Sequence, residues 1–216
     1  SEVGTLYTFP NNDQSGQLVP LDFNFPFYGN SYNEIRINPN GWIGFGDDNS
    51  EWNNQQLPSN SAPSPAIFPF WDDLNPVNDN CNQYCSGNVY YHSNSDRMVV
   101  WFNSVAHWWT NFENSFYDFQ VVLYTNGDIS FNYNEMLGDF SNGTVGIQNL
   151  GGVDGLEVAY NNNYLQNLLS VKIKKSPEWI TLSQNFGQIN AGESDQINLS
   201  VDTNDLLFDE YLNYIN

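Results

Sequence analysis

Residues 21–46 read LDFNFPFYGNSYNEIRINPNGWIGFG, and this stretch decides the fold class. Phe23, Phe25 and Phe27 alternate with polar residues or proline, which is the period of a strand with one buried face. The pattern repeats over residues 32–37, and Asn40-Gly41 then precedes another apolar run. Asn-Gly between two such runs is a strong hairpin signal because both residues tolerate positive φ. We therefore expect an antiparallel sheet whose loops, rather than any helix, carry the function.

The same signals recur along the chain and predict short strands separated by turns. A second hairpin is expected with Asn126-Gly127 at its tip, and a short helical turn is expected at residues 161–168. Short strands at this spacing are typical of a sandwich or a barrel. We predict an all-β fold, an antiparallel β-sandwich of about ten strands with long surface loops. The predicted strands are 17–28, 32–37, 42–45, 66–71, 88–92, 97–105, 116–124, 128–133, 144–149, 156–160 and 169–174.

Two polar segments and one boundary organise the chain. Residues 47–65 and 75–87 are too long for hairpin loops, so they should lie on the surface. Lys175-Ser176-Pro177 marks a boundary between a sandwich domain at 1–175 and a second β region at 176–216. The second region has only ~40 residues, fewer than an independent sandwich of about 100 needs. We expect it to be the first part of a truncated domain.

The charge balance limits the classes of partner. The chain has 25 acidic and 5 basic residues, for a formal net charge of −20. Phosphate backbones need a basic footprint, so nucleic acid is not expected as a partner, nor is an anionic membrane surface. Two explanations of the acidity remain open, solubility in a salty medium and binding of divalent cations.

No apolar run approaches the ~20 residues that a membrane-spanning helix needs, so we expect no membrane insertion. No basic-then-apolar leader opens the chain, and any signal peptide is expected to have been removed. Cys81 and Cys85 lie in CNQYC, a spacing that does not complete a zinc site. A small disulfide in an oxidising compartment is the favoured interpretation. Two reduced thiols are the alternative.

A turn-rich loop follows the predicted strand 66–71 and offers several hard oxygen donors. Calcium takes 6–8 oxygen ligands, including carbonyl groups that such a loop can supply. The alternative is that the aspartates cap turns by accepting hydrogen bonds from backbone amides. The cofactor prediction is therefore none, or Ca²⁺. The candidate ligands are Asp72, Asp73, Asn75, Asn78 and Asp79.

Aromatic side chains in polar loops form a second candidate site. Trp108 and Trp109 are adjacent, so in an extended segment one of them should face solvent. Exposed rings are surfaces on which sugars or partner proteins stack. The alternative is that the rings plug an open end of the sandwich. The predicted platform consists of Trp52, Tyr84, Trp108 and Trp109, whereas the tryptophans predicted to lie in the core are Trp42, Trp71 and Trp101.

Catalysis is not expected. His92 and His107 fall in different predicted strand regions, and no G-x-S-x-G pattern is present. Asp72 and Asp73 are adjacent on a strand end and would point to opposite sides. A glycosidase needs only two suitably spaced carboxylates, so 25 acidic residues leave that chemistry open.

Six segments in consistent order over roughly residues 15–175 resemble a nidogen-type (NIDO-like) extracellular β domain of large secreted bacterial proteins. The resemblance implies an accessory, non-catalytic module, in which the WDD motif is chiefly a structural signature. The segments are FNFPFYG (23–29), INPNGWIGFG (37–46), IFPFWDDL (67–74), VVWFN (99–103), FQVVLYTNGDISFNY (119–133) and TVGIQN (144–149).

The tail, WITLS (179–183) followed by Gly187 and Ala191-Gly192, resembles the opening half of a bacterial immunoglobulin-like repeat of the BACON or abnormal-spindle-like type. Together the resemblances imply an interaction or adhesion module of a secreted or cell-surface multidomain bacterial protein. Its expected partners are a glycan or protein at the cell surface, or neighbouring domains of the same parent. The alternative is an accessory spacer or propeptide-like region of a secreted hydrolase without a ligand of its own. A hydrolase that uses surface carboxylates is a third option.

Overall fold

The computed structural model describes residues 4–48, 50–77, 87–108, 115–175, 180–184 and 188–202. Over these residues the fold is all-β, with fourteen strands in antiparallel sheets and no helix. The chain divides into two compact units, Ser1–Lys174 and Lys175–Asn216. In the part of the chain that the structure describes, no helix is long and apolar enough to span a bilayer.

The first unit contains two six-stranded sheets, which form the predicted sandwich. The first sheet has the order β1-β6-β7-β8-β9-β12, with bounds Thr5–Tyr7, Asn88–Ser93, Arg97–Ala106, Phe116–Tyr124, Ile129–Leu137 and Leu169–Ile173. The second sheet has the order β11-β10-β5-β4-β3-β2, with bounds Gly155–Tyr160, Thr144–Gln148, Ala66–Trp71, Trp42–Gly44, Asn30–Asn38 and Val19–Phe27. In the second unit, β13 (Ile180–Leu182) pairs with β14 (Leu199–Val201).

All eleven strands predicted in the first unit are present, and both predicted hairpins form. Gly41 lies between β3 and β4 with φ +78°, and Gly127 lies between β8 and β9 with φ +91°. The prediction missed β1, a three-residue strand. The helical turn expected at residues 161–168 is wrong, since that segment forms only turns and bends.

Aromatic rings fill the space between the two sheets. The ring of Phe70 on β5 lies 4.9 Å from that of Tyr117 and 6.0 Å from that of Phe119, both on β8. The ring of Phe119 also stacks on Phe102 at 4.7 Å. Tyr133 on β9 donates its hydroxyl hydrogen to the carbonyl oxygen of Pro69 at 2.6 Å. Close packing and one buried hydrogen bond therefore join the sheets at their centre.

At its central strands, β4, β5 and β10, the second sheet is buried on its outer face as well. The whole of β5 is buried, which is the pattern of a strand covered on both sides. The loop 47–65 provides the cover, and Glu51 accepts hydrogen bonds at its carbonyl oxygen from the indoles of Trp42 and Trp71 at 2.8 and 3.1 Å. This loop lies on the surface as expected, but it also encloses a second apolar cluster. The members of this outer cluster are Trp42, Leu57, Ala62, Ala66, Phe68 and Trp71.

Gln148 on β10 fixes the covering loop. Its side chain is fully buried, and its amide nitrogen lies 2.8–3.3 Å from the carbonyl oxygens of Ser59, Ala62 and Pro63. Its side-chain oxygen accepts from the backbone N–H of Ser59 at 2.9 Å. A single amide thus satisfies loop backbone groups that would otherwise be buried without partners.

We expect Gln148→Ala to lower the free energy of unfolding by about 2–4 kcal/mol, because truncation leaves these loop groups without hydrogen bonds. Urea unfolding followed by tryptophan fluorescence measures the change. Gln56→Ala, at an exposed position in the same loop, is the matched control and should change stability by less than ~0.5 kcal/mol. Equal stability of the two variants would show that Gln148 does not hold the loop.

Candidate functional site

The segment after β5 contains the first three residues of the predicted calcium loop. Oδ1 of Asp72 accepts from the backbone N–H of Asp73 at 2.8 Å, and its Oδ2 lies 3.4 Å from Nε2 of His107. Oδ1 of Asn75 accepts from the backbone N–H of Val77 at 3.2 Å. Side chains that bond to nearby amides in this way stabilise turns, which agrees with the turn-capping alternative.

The remaining predicted ligands cannot be placed beside these three. In the ranges that the structure describes, no group of three or more His, Cys, Asp and Glu side chains is arranged to hold a metal ion. The calcium loop, the disulfide and the four-ring platform therefore stay predictions. Their members that lie outside the described residues are Asn78, Asp79, Cys81, Tyr84, Cys85 and Trp109.

The same segment links the two sheets through backbone hydrogen bonds. Asn75 donates its N–H to the carbonyl oxygen of Ala106 at 2.8 Å, and Trp108 donates to that of Asp73 at 2.8 Å. Ala106 ends β7 of the first sheet, whereas Asp73 follows β5 of the second. The WDD motif thus has a structural role, in agreement with what its family resemblance implies.

Asp73 is a partly buried acid in this segment. Its pKa is raised to about 6, chiefly by burial; His107 lowers the pKa, and the nearby Asp13 and Asp72 add to the increase. The causes are desolvation of the charged form and repulsion between carboxylates. Asp73 therefore costs the folded protein free energy when it is ionised.

Two members of the predicted aromatic platform lie in the described part of the chain. Trp52 is 49% exposed and Trp108 is 48% exposed. Trp52 follows Glu51, so it lies next to the outer cluster of the second sheet. Trp108 lies just beyond the end of β7 in the first sheet. Both rings are therefore accessible to a partner molecule, and neither is buried in the core.

Trp101 lies on the outer face of the first sheet, so its predicted place in the core is wrong. Along β7, the side chains of Met98, Val100 and Phe102 are fully buried against the second sheet, whereas Trp101 is only partly buried. Successive side chains of a strand point to opposite faces. Because Val100 and Phe102 point into the interior of the sandwich, Trp101 faces outward.

Trp101 belongs to a row that crosses the whole first sheet. Strand register places one residue from each of the six strands in line on the outer face. Neighbouring strands are ~4.8 Å apart, so the row is roughly 24 Å long. The row consists of Leu6, Tyr90, Trp101, Gln120, Asn132 and Ser170.

Hydrogen bonds fix the side chains around Trp101. Its indole N–H donates to Oδ1 of Asp118 at 2.8 Å, and Asn134 donates its amide to Oδ2 of Asp118 at 3.3 Å. The ring of Tyr90 lies 5.7 Å from that of Trp101, centroid to centroid. The indole plane is therefore held in one orientation from two sides.

The residues around Trp101 line a shallow depression with a volume of about 410 Å³. Leu168 borders it, 84% exposed and with φ +61°, a backbone conformation that a leucine rarely adopts. We call this surface the Trp101 face and define it by Trp101, Asp118, Gln120, Asn132, Asn134 and Ser170.

The sequence patterns alone do not predict the Trp101 face, although the alternation of polar and apolar residues indicates part of it. Polar residues alternate with buried ones in β8 and β9, where Gln120 and Asn132 share the outward side with Asp118. On β7, Trp101 occupies the corresponding outward position and completes this pattern. Its assignment to the outer face needed the register of β7 against β8, which a single strand does not contain.

A comparison with known protein families matches residues 2–199 to the family described as NIDO related. The chain belongs to the NIDO-related family. Searches of curated proteins and of solved structures find no match to it. Domains of this NIDO-related type occur in extracellular proteins and are in general non-catalytic modules. The match extends over both units of the chain.

We expect Asp73→Asn to stabilise the protein at pH 7.5 by about 1 kcal/mol, a value discounted for solvent screening. Below pH ~3 the carboxyl is mostly protonated in both the folded and the unfolded chain, so the substitution should have little effect there. As pH rises towards the folded-state pKa of about 6, only the unfolded carboxyl ionises freely, and wild-type stability falls.

Urea unfolding at pH ~3 and pH 7.5 measures the difference between variant and wild type. Asp47→Asn, at an exposed position, controls for the loss of one negative charge. A stabilisation that is the same at both pH values would contradict the assignment of the effect to ionisation of Asp73.

Proposed function

We propose that this NIDO-related chain is a non-catalytic interaction module of a secreted or cell-surface multidomain protein, and that it binds its partner through the Trp101 face. The partner is a glycan or a protein outside the cell. The family supports the extracellular setting, and the surface chemistry of the first sheet supports the binding role.

The observation that carries this proposal is the difference between the outer faces of the two sheets. The outer face of the second sheet holds Trp42 and Trp71, and the loop 47–65 covers both of them completely. The outer face of the first sheet also holds a tryptophan, Trp101, but there the ring lines an open depression among polar side chains. An oriented, accessible aromatic ring beside convergent polar groups is a typical recognition surface.

The second unit supports a place in a multidomain protein. We propose that the antiparallel pair β13 and β14 begins an immunoglobulin-like repeat of the kind that the tail sequence resembles. Leu199 and Val201 on β14 are about half exposed. Apolar strand residues of this kind are normally covered by a facing sheet in a complete sandwich.

Binding to two printed arrays tests the proposed function, one of neutral, sialylated and sulfated glycans and one of purified extracellular proteins. We expect the labelled chain to bind saturably to at least one partner. Trp101→Ala should weaken that binding by about tenfold or more, whereas Trp52→Ala, which truncates an exposed ring beside the second sheet, should not. Prolonged incubation with the bound partner should yield no cleavage products.

The other outcomes each have a defined meaning. If the chain binds saturably to neither array, the proposed interaction module is contradicted and the alternative of a spacer without a ligand is favoured. Loss of binding in Trp52→Ala alone would move the binding site from the Trp101 face to the predicted aromatic platform. Cleavage products that disappear in a carboxylate variant, such as Asp118→Asn, would contradict a non-catalytic role.

A further inference from the structure

The Trp101 face combines three features that together define a ligand class. It has an oriented aromatic ring, planar polar side chains that both donate and accept hydrogen bonds, and an elongated shape that crosses six strands. The aromatic ring offers an electron-rich face to weakly polar C–H groups. The amides and the carboxylate offer partners to hydroxyl groups.

From these features we infer that the Trp101 face binds a neutral oligosaccharide chain, which lies across the strands with one sugar ring stacked on Trp101. The inference rests on the proposed function and names its ligand. A sugar ring has an apolar face of C–H groups and a rim of hydroxyls, and the depression offers a matching surface to each.

Asp118 has hydrogen-bonding capacity left for a ligand. A carboxylate provides about four lone-pair positions. Within the described chain, Trp101 and Asn134 use one position on each oxygen of Asp118. The remaining positions can accept from sugar hydroxyls, and the two intramolecular bonds keep the carboxylate in place while they do so.

Gln120 provides a second polar contact. Its side chain lies next to Trp101 in the row and lines the depression. No hydrogen bond from this amide to any other described residue is found, whereas the neighbouring Asn132 accepts from the hydroxyl of Ser170 at 2.7 Å. Gln120 can therefore bond to a ligand without breaking a bond within the protein.

Charge favours a neutral chain over an anionic one. Among the described residues that line the depression, the charged one is Asp118, and the chain as a whole carries a net charge of −20. Uronic acid, sialic acid or sulfate groups would be repelled by Asp118 and by the net charge of the chain. A neutral sugar meets no such cost.

The dimensions favour a chain over a single sugar. The depression of about 410 Å³ is within the ~300–1,000 Å³ range of ligand sites. The row continues on both sides of it for roughly 24 Å in total. Leu6 and Tyr90 extend the surface on one side of Trp101, and Asn132 and Ser170 extend it on the other. Further sugar units therefore have side chains beneath them.

Isothermal titration of the full chain with neutral hexasaccharides tests this inference. The probes are cellohexaose, xylohexaose, mannohexaose, laminarihexaose, maltohexaose and hexa-N-acetylchitohexaose, and hexagalacturonate is the anionic control. We expect saturable binding of at least one neutral probe and no binding of hexagalacturonate. Binding should also change the intrinsic tryptophan fluorescence.

Three variants locate the site. We expect Trp101→Ala to weaken binding by about tenfold or more and Gln120→Ala by about threefold or more. Gln120→Ala removes a side chain that makes no hydrogen bond to another described residue, so it keeps the test valid if Trp101→Ala unfolds. Trp52→Ala, a matched exposed tryptophan, should bind within twofold of wild type, and circular dichroism verifies the fold of each variant.

Each other result overturns the inference in a distinguishable way. Binding that is unchanged in both Trp101→Ala and Gln120→Ala would place the sugar elsewhere. If no neutral hexasaccharide binds while a protein on the array binds in a Trp101-dependent way, the sugar assignment fails and the proposed function stands. If neither the arrays nor the hexasaccharide titrations show saturable binding, the proposed function is overturned as well.

Discussion

The contact of Phe70 with Tyr117 and Phe119 is the interaction on which the rest of the structure depends. It presses β5 of the second sheet against β8 of the first, and the hydrogen bond from Tyr133 to Pro69 closes the same interface. Because side chains alternate along a strand, fixing the inward residues also fixes the outward ones. On β8, Phe119 points into the core, so its neighbours Asp118 and Gln120 point outward. On β7, Phe102 points into the core, so its neighbour Trp101 points outward. The alternation of side chains along β7 and β8 therefore determines both the sandwich core and the Trp101 face.

The two family motifs at the end of the sandwich depend on each other. Gly41 has a positive φ, and a Cβ atom at this position would lie 1.9 Å from the carbonyl oxygen of Phe70, so only glycine fits. Asn40, which precedes it, accepts from Asp72 N–H at its carbonyl oxygen and from Leu74 N–H at Oδ1. The Asn-Gly turn thus holds the WDD segment, and that segment in turn bonds to the end of β7. These residues support the sheets that carry the Trp101 face.

Local patterns predicted most of the fold and little of the site. Alternation and the two Asn-Gly turns were sufficient for eleven strands, because those signals lie within a few neighbouring residues. The covering role of residues 47–65 was missed, although the unbroken apolar run of β5 indicates a strand buried on both faces. The apolar neighbours Val99, Val100 and Phe102 predict a core position for Trp101, which is wrong. Its true surroundings come from β8, β9 and β12, and that register is not contained in any one segment.

The most direct measurement is ¹⁹F NMR of protein labelled with 5-fluorotryptophan, with resonances assigned by single Trp→Phe substitutions and a soluble paramagnetic agent added. If inward packing of the rings of β7 and β8 turns Trp101 outward, its resonance should broaden clearly, as should those of Trp52 and Trp108. The resonances of Trp42 and Trp71, beneath the loop 47–65, should stay sharp. A Trp101 resonance as well protected as those of Trp42 and Trp71 would contradict the outward placement and remove the basis for a binding face on the first sheet.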